Sequence, residues 1–291
     1  MEQIIVFLIA HMEPVKKKTI EDIVEKHLKN ISSSFIKDYK PNGAKFKNIT
    51  NKANNIFISS LGADVLVYSA LMRSLDSSLG NQIEKMALEI ASKSGYNVSK
   101  GVEGELSDEA VSFIAKILEQ YKNTSNDHKA NLADYEKLRN IVWSTKGKNK
   151  FHNSDYLLEK DEADGTKTLS LLELKIGGDL DNKKSRSEKE AIFEQYAILV
   201  SKYQKEIQNG SVIVRTFFAT AYNKNSENSG KENWSQASVK AFFADEELLI
   251  GKDFWNLICN DQDGWTVVKE AFSIHSHHLK GSLSQIVDSL K

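Results

Sequence analysis

Two strand-like runs, 155–160 and 168–175, flank a short polar segment that carries Asp164-Gly165. Apolar runs of this length joined across an Asp-Gly turn predict a β-hairpin. A helix follows, with Ile192, Tyr196, Leu199, Val200, Tyr203 and Ile207 along one face. Its expected start is Ser187-Glu188-Lys189-Glu190, where Ser187 and Glu190 have the spacing of a capping box. A long apolar strand, 211–222, comes next. Hairpin, helix and strand in that order bury their apolar faces by laying the helix across a mixed sheet. The expected class is therefore α/β, with a mixed central sheet flanked by helices.

Upstream, the sequence is helical in texture, with only two prolines, Pro14 and Pro41, in the whole chain. Residues 19–39 show helical spacing through Ile20, Ile23, Val24, His27, Leu28 and Ile31. The Asn- and Lys-rich stretch 41–55 reads as a loop, and 56–72 as a buried helix broken near Gly62. Ser77 or Ser78 is the expected cap of a helix running to about Ser94 and stopped by Gly95. Another helix spans about 107–122, followed by a polar linker, 123–130.

Three portions result: a mainly helical 1–130, contributing a core helix at about 77–94; an α/β core, 131–225; and a mixed 226–291 packed on the same domain.

Charge does not point to a partner by itself. Thirty-nine basic and 40 acidic side chains leave a net charge of −1. A phosphate-binding surface needs only a local basic stripe, and Lys137, Arg139, Lys146, Lys148 and Lys150, interleaved with Trp143 and Phe151, offer one. The single cysteine, Cys259, excludes an intrachain disulfide, and its neighbours Leu257 and Ile258 suggest a buried thiol. A reducing, cytoplasmic setting is expected. The apolar run Ile4–Ala10 is too short to span a bilayer and follows acidic Glu2, so neither membrane span nor signal peptide is expected. Met12 is an alternative start.

The chemistry concentrates at one end of the hairpin. With a turn centred near Gly165, facing residue numbers sum to about 330, which sets Asp155 opposite Lys175. Glu173 and Lys175, two apart, share a face. Burying two carboxylates beside apolar strands costs several kcal/mol per ion. A hard divalent cation removes that cost, with Asp155, Glu173 and the carbonyl of Leu174 as ligands and Mg²⁺ as the expected ion. Lys175 would then orient or deprotonate the attacking water and stabilise charge at phosphorus.

Asn153-Ser154-Asp155 and Glu173-Leu174-Lys175 resemble the PD-(D/E)xK nucleases, with Ser154 where the motif has proline. The family pattern also has an acidic residue on an upstream helix, which Glu84 matches. The stretch Leu172 to Lys184, with Arg73 to Gly80 and Glu247 to Trp255, resembles type II restriction endonucleases, closest to the TdeIII/MjaII group associated with GGNCC. The resemblance covers about residues 70–260 and implies hydrolysis of double-stranded DNA to 5′-phosphates. It also implies Mg²⁺ with Mn²⁺ as substitute, a homodimer on a palindrome, and a cognate DNA methyltransferase that is genetic rather than a bound partner. Two other readings stay open: a repair or phage-type nuclease of low sequence specificity, and a catalytically silent DNA-binding module.

Several further residues have two readings. The segment 177–186 is expected as a loop leaving the metal site, with Asn182, Lys183, Lys184 and Arg186 on DNA; Lys146 and Lys148 are candidate backbone clamps. Glu190 and Glu194 could hold a second metal or line a solvated face. Arg215, in an apolar strand, pairs with a core acid or points to DNA. His275, His277 and His278 suggest zinc, but no cysteine or acid lies at ligand spacing, so a surface helix end is expected.

Overall fold

A computed structural model describes residues 12–40, 42–122, 128–152, 156–177 and 180–290. In chain order the elements begin with helices α1 (Pro14–Tyr39), α2 (Phe46–Ala53), α3 (Ile56–Ser59) and α4 (Ala63–Lys93). Strands β1 (Asn97–Ser99) and β2 (Val102–Leu106) and helices α5 (Asp108–Lys122) and α6 (Ala133–Ser144) follow. Next come β3 (Lys148–His152), β4 (Tyr156–Asp161), β5 (Lys167–Lys175), α7 (Asn182–Lys202), α8 (Gln204–Gln208) and β6 (Val212–Thr220). The chain closes with α9 (Ala237–Lys240), β7 (Leu248–Ile250), α10 (Lys252–Ile258), α11 (Gly264–His275) and α12 (His277–Leu290).

By contacts the chain forms two compact units, Met1–Gln82 with Cys259–Lys291, and Ile83–Ile258.

In the first unit, α1 buries Ile20, Val24, Leu28, Ile31 and Phe35 and packs on α11 and α12. It begins five residues before the apolar spacing does. Pro14 suits the first helical turn, and the Glu13 carboxylate accepts from the Val15 and Lys16 amides. The stretch expected as a loop contains α2: Ile49 is buried, and Lys52 reaches the Ser69 carbonyl at 2.8 Å. Such anchoring overrides the low helix preference of an Asn-rich sequence.

The two expected helices around 56–94 are instead α3 and one continuous α4, separated near Gly62 (φ 103°). Ser77 and Ser78 cap nothing, because apolar spacing continues past them through Leu79, Ile83 and Met86 and keeps the helix unbroken. Gly95 (φ 97°) ends it as expected. Nor is 56–72 buried all round: Leu66, Val67, Ala70 and Leu71 face inward, while Ile56, Phe57, Leu61, Val65, Tyr68 and Met72 are exposed. Among the described residues, no helix is long and apolar enough to cross a membrane.

The second unit is an α/β assembly around a sheet of order β1-β4-β5-β6-β7. β4 and β5 form the expected antiparallel hairpin, and β6 joins β5 in parallel after the α7 crossover. The mixed sheet flanked by helices is thus the class read from the sequence. Its register differs by two: Tyr156 faces Leu172 and Leu158 faces Ser170. The turn centres on Asp164 rather than Gly165, with the Glu162 amide bonded to the Thr166 carbonyl at 2.8 Å. An even shift leaves every side chain on its expected face.

Helix α7 starts at Asn182, capped by the Asp181 carboxylate on the Lys184 amide at 2.8 Å. The Ser187–Glu190 capping box does not form, since a better cap lies upstream and Ser187 is already inside the helix. Ile192, Phe193, Tyr196 and Leu199 belong to the same buried cluster as Leu157, Leu169 and Leu171. β2 and β3 pair with each other in a separate two-stranded sheet. Arg215 is exposed rather than buried against a core acid among the described residues, and Glu162 is a charged neighbour.

One buried ion pair ties α7 to the segment before β7. Lys189 is fully buried, with its ammonium 2.5 and 2.7 Å from the Glu247 carboxylate oxygens and 3.1 Å from the Tyr135 hydroxyl. Aromatic rings of Tyr135, Phe193 and Phe243 surround it. Removing one partner strands the other charge in an apolar pocket. Lys189→Met or Glu247→Gln is expected to lower unfolding free energy by about 3–5 kcal/mol in urea denaturation. A loss under about 1 kcal/mol, the range of exposed pairs, would contradict this.

Candidate active site

β5 is hydrogen-bonded to a strand on each side, and its burial is nearly continuous from Thr168 to Leu174. Its odd-numbered residues Leu169 and Leu171 lie in the cluster beneath α7, so Glu173 and Lys175 emerge on that face at the strand's C-terminal end. Glu173 is 8% exposed. Its Oε1 accepts from the Lys175 ammonium at 2.7 Å, and the same ammonium lies 3.1 Å from Oε1 of Glu188, on α7. One cation is therefore shared by two carboxylates where a central strand meets a crossover helix. Leu174, between them, turns its side chain to the opposite face and is buried.

Asp155 lies outside the described residues. Its sequence neighbour Tyr156 forms the last described rung of the hairpin, opposite Leu172, the neighbour of Glu173. Glu84 is elsewhere: its carboxylate pairs with Lys100, and its carbonyl accepts from the Tyr156 hydroxyl at 3.0 Å. Tyr156 shares the Leu172 face, the opposite side of the sheet from Glu173. The structure thus brings Glu173 and Lys175 together and joins Glu84 to the hairpin through backbone.

The expected loop 177–186 is mostly helix, because Asp181 caps α7. Asn182, Lys183 and Lys184 are exposed on its first turn, while Arg186 pairs with Glu119. Gly177 packs against Tyr222, whose hydroxyl would lie 2.6 Å from any Cβ there. Gly178 falls outside the described residues. Lys146 is exposed before β3, and Lys148, also exposed, opens that strand.

Glu194 is neither solvated surface nor beside Glu173. Lys150 lies 2.9 Å from it and His152 Nε2 3.3 Å, and Gln195, itself buried, lies 3.3 Å from His152 Nδ1. The His152 ring first, and the Lys150 ammonium after it, hold the Glu194 carboxyl below the usual carboxylate range against the opposing effect of burial.

Sequence reading missed two members of this region. Glu188 joins Lys175 because α7, capped by Asp181, crosses back over the face on which Lys175 emerges. His152 meets α7 through the β2–β3 pairing, for which the sequence offers no comparable signal.

A mixed sheet with a carboxylate–ammonium–carboxylate arrangement at the end of its central strand suits a hydrolase acting on a charged ester. The model of the family described as "Type II restriction endonuclease, HinfI" matches residues 16–275. The chain belongs to this family: it is a type II restriction endonuclease, a site-specific nuclease whose substrate is double-stranded DNA. No curated protein matches it. Enzymes of this class generally use divalent metal ions. Glu173, a nearly buried carboxylate at the end of β5, presents hard oxygens of the kind such an ion takes.

The lowered Glu194 pKa has a definite sign. A carboxyl held below its unfolded value of about 4.3 adds stability above that pH and loses it as pH falls through the folded value. Glu194→Gln is expected to flatten the acid limb of urea stability measured between pH 7 and pH 3. An unchanged limb would show that the cluster does not contribute.

Proposed function

We propose that Asp155, Glu173 and Lys175 cleave DNA, with Mg²⁺ held by Asp155, Glu173 and the Leu174 carbonyl, and with Mn²⁺ able to substitute. The observation that carries this reading is the 2.7 Å contact between Glu173 and Lys175 at the buried end of β5. When bound, the divalent ion supplies Lewis-acid charge and makes water a stronger nucleophile. Lys175 holds the attacking water in line with phosphorus and offsets the negative charge that grows there. Glu188 keeps the ammonium in place. Water oxygen bonds to phosphorus, the bond to the 3′ oxygen breaks, and the products are a 5′-phosphate and a 3′-hydroxyl.

Glu84, the acidic residue of the upstream helix, serves the site at one remove: its carbonyl holds the Tyr156 hydroxyl and so steadies the strand end next to Asp155. The catalytic core is 131–225. Asn182, Lys183, Lys184 and Arg186 contact DNA phosphate; the first three sit at an exposed helix N-terminus, which favours anions. Lys146 and Lys148 grip the backbone further along. The target is a short palindrome, for which GGNCC is the candidate supplied by the resemblance of 172–184. A cognate methyltransferase protects the host DNA without binding this chain.

A palindrome is cut on both strands most simply by a symmetric pair. Val65, Tyr68, Met72, Leu75 and Leu79 recur along α4 at alternating spacings of three and four, the repeat by which one helix packs against another of the same kind. The first three are 41–48% exposed, and Ile56, Phe57 and Leu61, just before the helix, are exposed as well. A contiguous run of large exposed apolar side chains of this kind marks an interaction surface more often than scattered ones do. We assign this stripe to a second copy of the chain.

Two experiments test these readings. Phage DNA digested with Mg²⁺, with Mn²⁺ and with EDTA, followed by sequencing of fragment ends, is expected to give metal-dependent cuts at one palindrome. Glu173→Ala or Lys175→Ala should slow cutting by more than about 10²-fold while DNA binding persists. A smear would favour a low-specificity nuclease, absence of metal-dependent cutting a silent module, and insolubility of both variants a structural ion pair. In light scattering after size exclusion, the wild type is expected as a dimer and Val65→Glu or Met72→Glu as a folded monomer. A monomeric wild type overturns the assignment of the stripe.

A further inference from the structure

We propose that Glu25, His275 and His278 form a zinc-binding site, separate from the catalytic hairpin and independent of the reading given for it. The three come from distant parts of the chain. His275 ends α11, His278 lies in the first turn of α12, and Glu25 faces that corner from α1. Glu25 Oε1 lies 3.7 Å from His275 Nδ1 and 3.6 Å from His278 Nε2, and the three donor atoms fall within 4.8 Å of one another.

These separations are too long for hydrogen bonds. They are close to the roughly 3.4 Å between neighbouring donors in a tetrahedral zinc site with bonds of about 2.0–2.1 Å. His278 Nε2 is buried and has no hydrogen-bond partner among the described residues, a costly state for a ring nitrogen. The His275 and His278 rings are parallel within 1°, 6.3 Å apart. His277 is not a member, since its ring nitrogens fall outside the group of donor atoms that Glu25, His275 and His278 form.

The donor types choose the metal. Two imidazoles and one carboxylate favour zinc or a neighbouring transition ion over Mg²⁺, and three protein ligands leave a fourth position for water. The competitor is Lys29, whose ammonium lies 2.7 Å from the same Glu25 oxygen. That side chain is 52% exposed, so a dication can displace it at little cost. Bound zinc would fasten α1 to the α11–α12 corner, holding together segments about 250 residues apart in sequence.

The test uses full-length protein without a polyhistidine tag, in a Glu173→Ala background so that the catalytic acids do not compete. After EDTA treatment and dialysis against zinc, one zinc per chain is expected by elemental analysis, with a raised melting temperature. His275→Gln, His278→Gln and Glu25→Gln should each weaken binding by more than about tenfold. Lys29→Ala should tighten it, which a merely structural ion-pair corner would not do. Should the ligand variants fail to fold, cobalt(II) added to the parent is expected to give the visible bands of tetrahedral coordination, erased by zinc. A folded parent that takes up neither metal, or a folded His278→Gln protein that binds zinc as tightly, overturns the site.

Discussion

A strand hydrogen-bonded on both edges and covered on both faces tolerates charge only at its ends. β5 is such a strand: no charge stands between Thr168 and Leu172, and Glu173 and Lys175 come only at its C-terminal end. There the side chains meet each other and Glu188 rather than standing alone. Everything around them serves to fix this end of the sheet. The β4 hairpin brings the sequence neighbour of Asp155 to it, β6 extends alongside, and α7 returns over the face on which the charges emerge.

The α7 crossover is held from its far side as well. Lys189 and Glu247 clamp it to the segment leading into β7, at full burial. That clamp lies one residue along the helix from Glu188, so the anchor that orients α7 also sets the direction of the carboxylate facing Lys175. A displacement of the helix by one turn would carry Glu188 away by about 5.4 Å, well beyond salt-bridge reach.

What could be read from the residues alone divides by range. The hairpin, its D-G turn, α7 and β6 were visible because each is a local periodic signal. Even the register error was small: the turn centres on Asp164, and parity kept the faces right. Helix ends were read less well. Ser77 and Ser187 each carry the chemistry of a cap, yet tertiary packing on either side draws them into longer helices, and Asp181 supplies the actual cap of α7. The edge strands β1 and β7, three residues each, are too short to show a period. Long-range meetings were invisible. Three histidines near the C-terminus lacked an acid at ligand spacing, because the acid is Glu25, some 250 residues earlier.

Two lysines on adjoining elements show why burial separates structure from chemistry. Lys189 is sealed at 0% exposure with both oxygens of one carboxylate, and releasing it would cost several kcal/mol. Lys175 is 30% exposed and divided between two carboxylates. Exchanging one of its partners for another oxygen, whether water or phosphate, is within the range of about 1 kcal/mol that partly solvated pairs contribute. Of the two ammonium groups, only the one at the end of β5 can change partners during a reaction without loosening the fold, and that difference favours Lys175 over Lys189 as the working group.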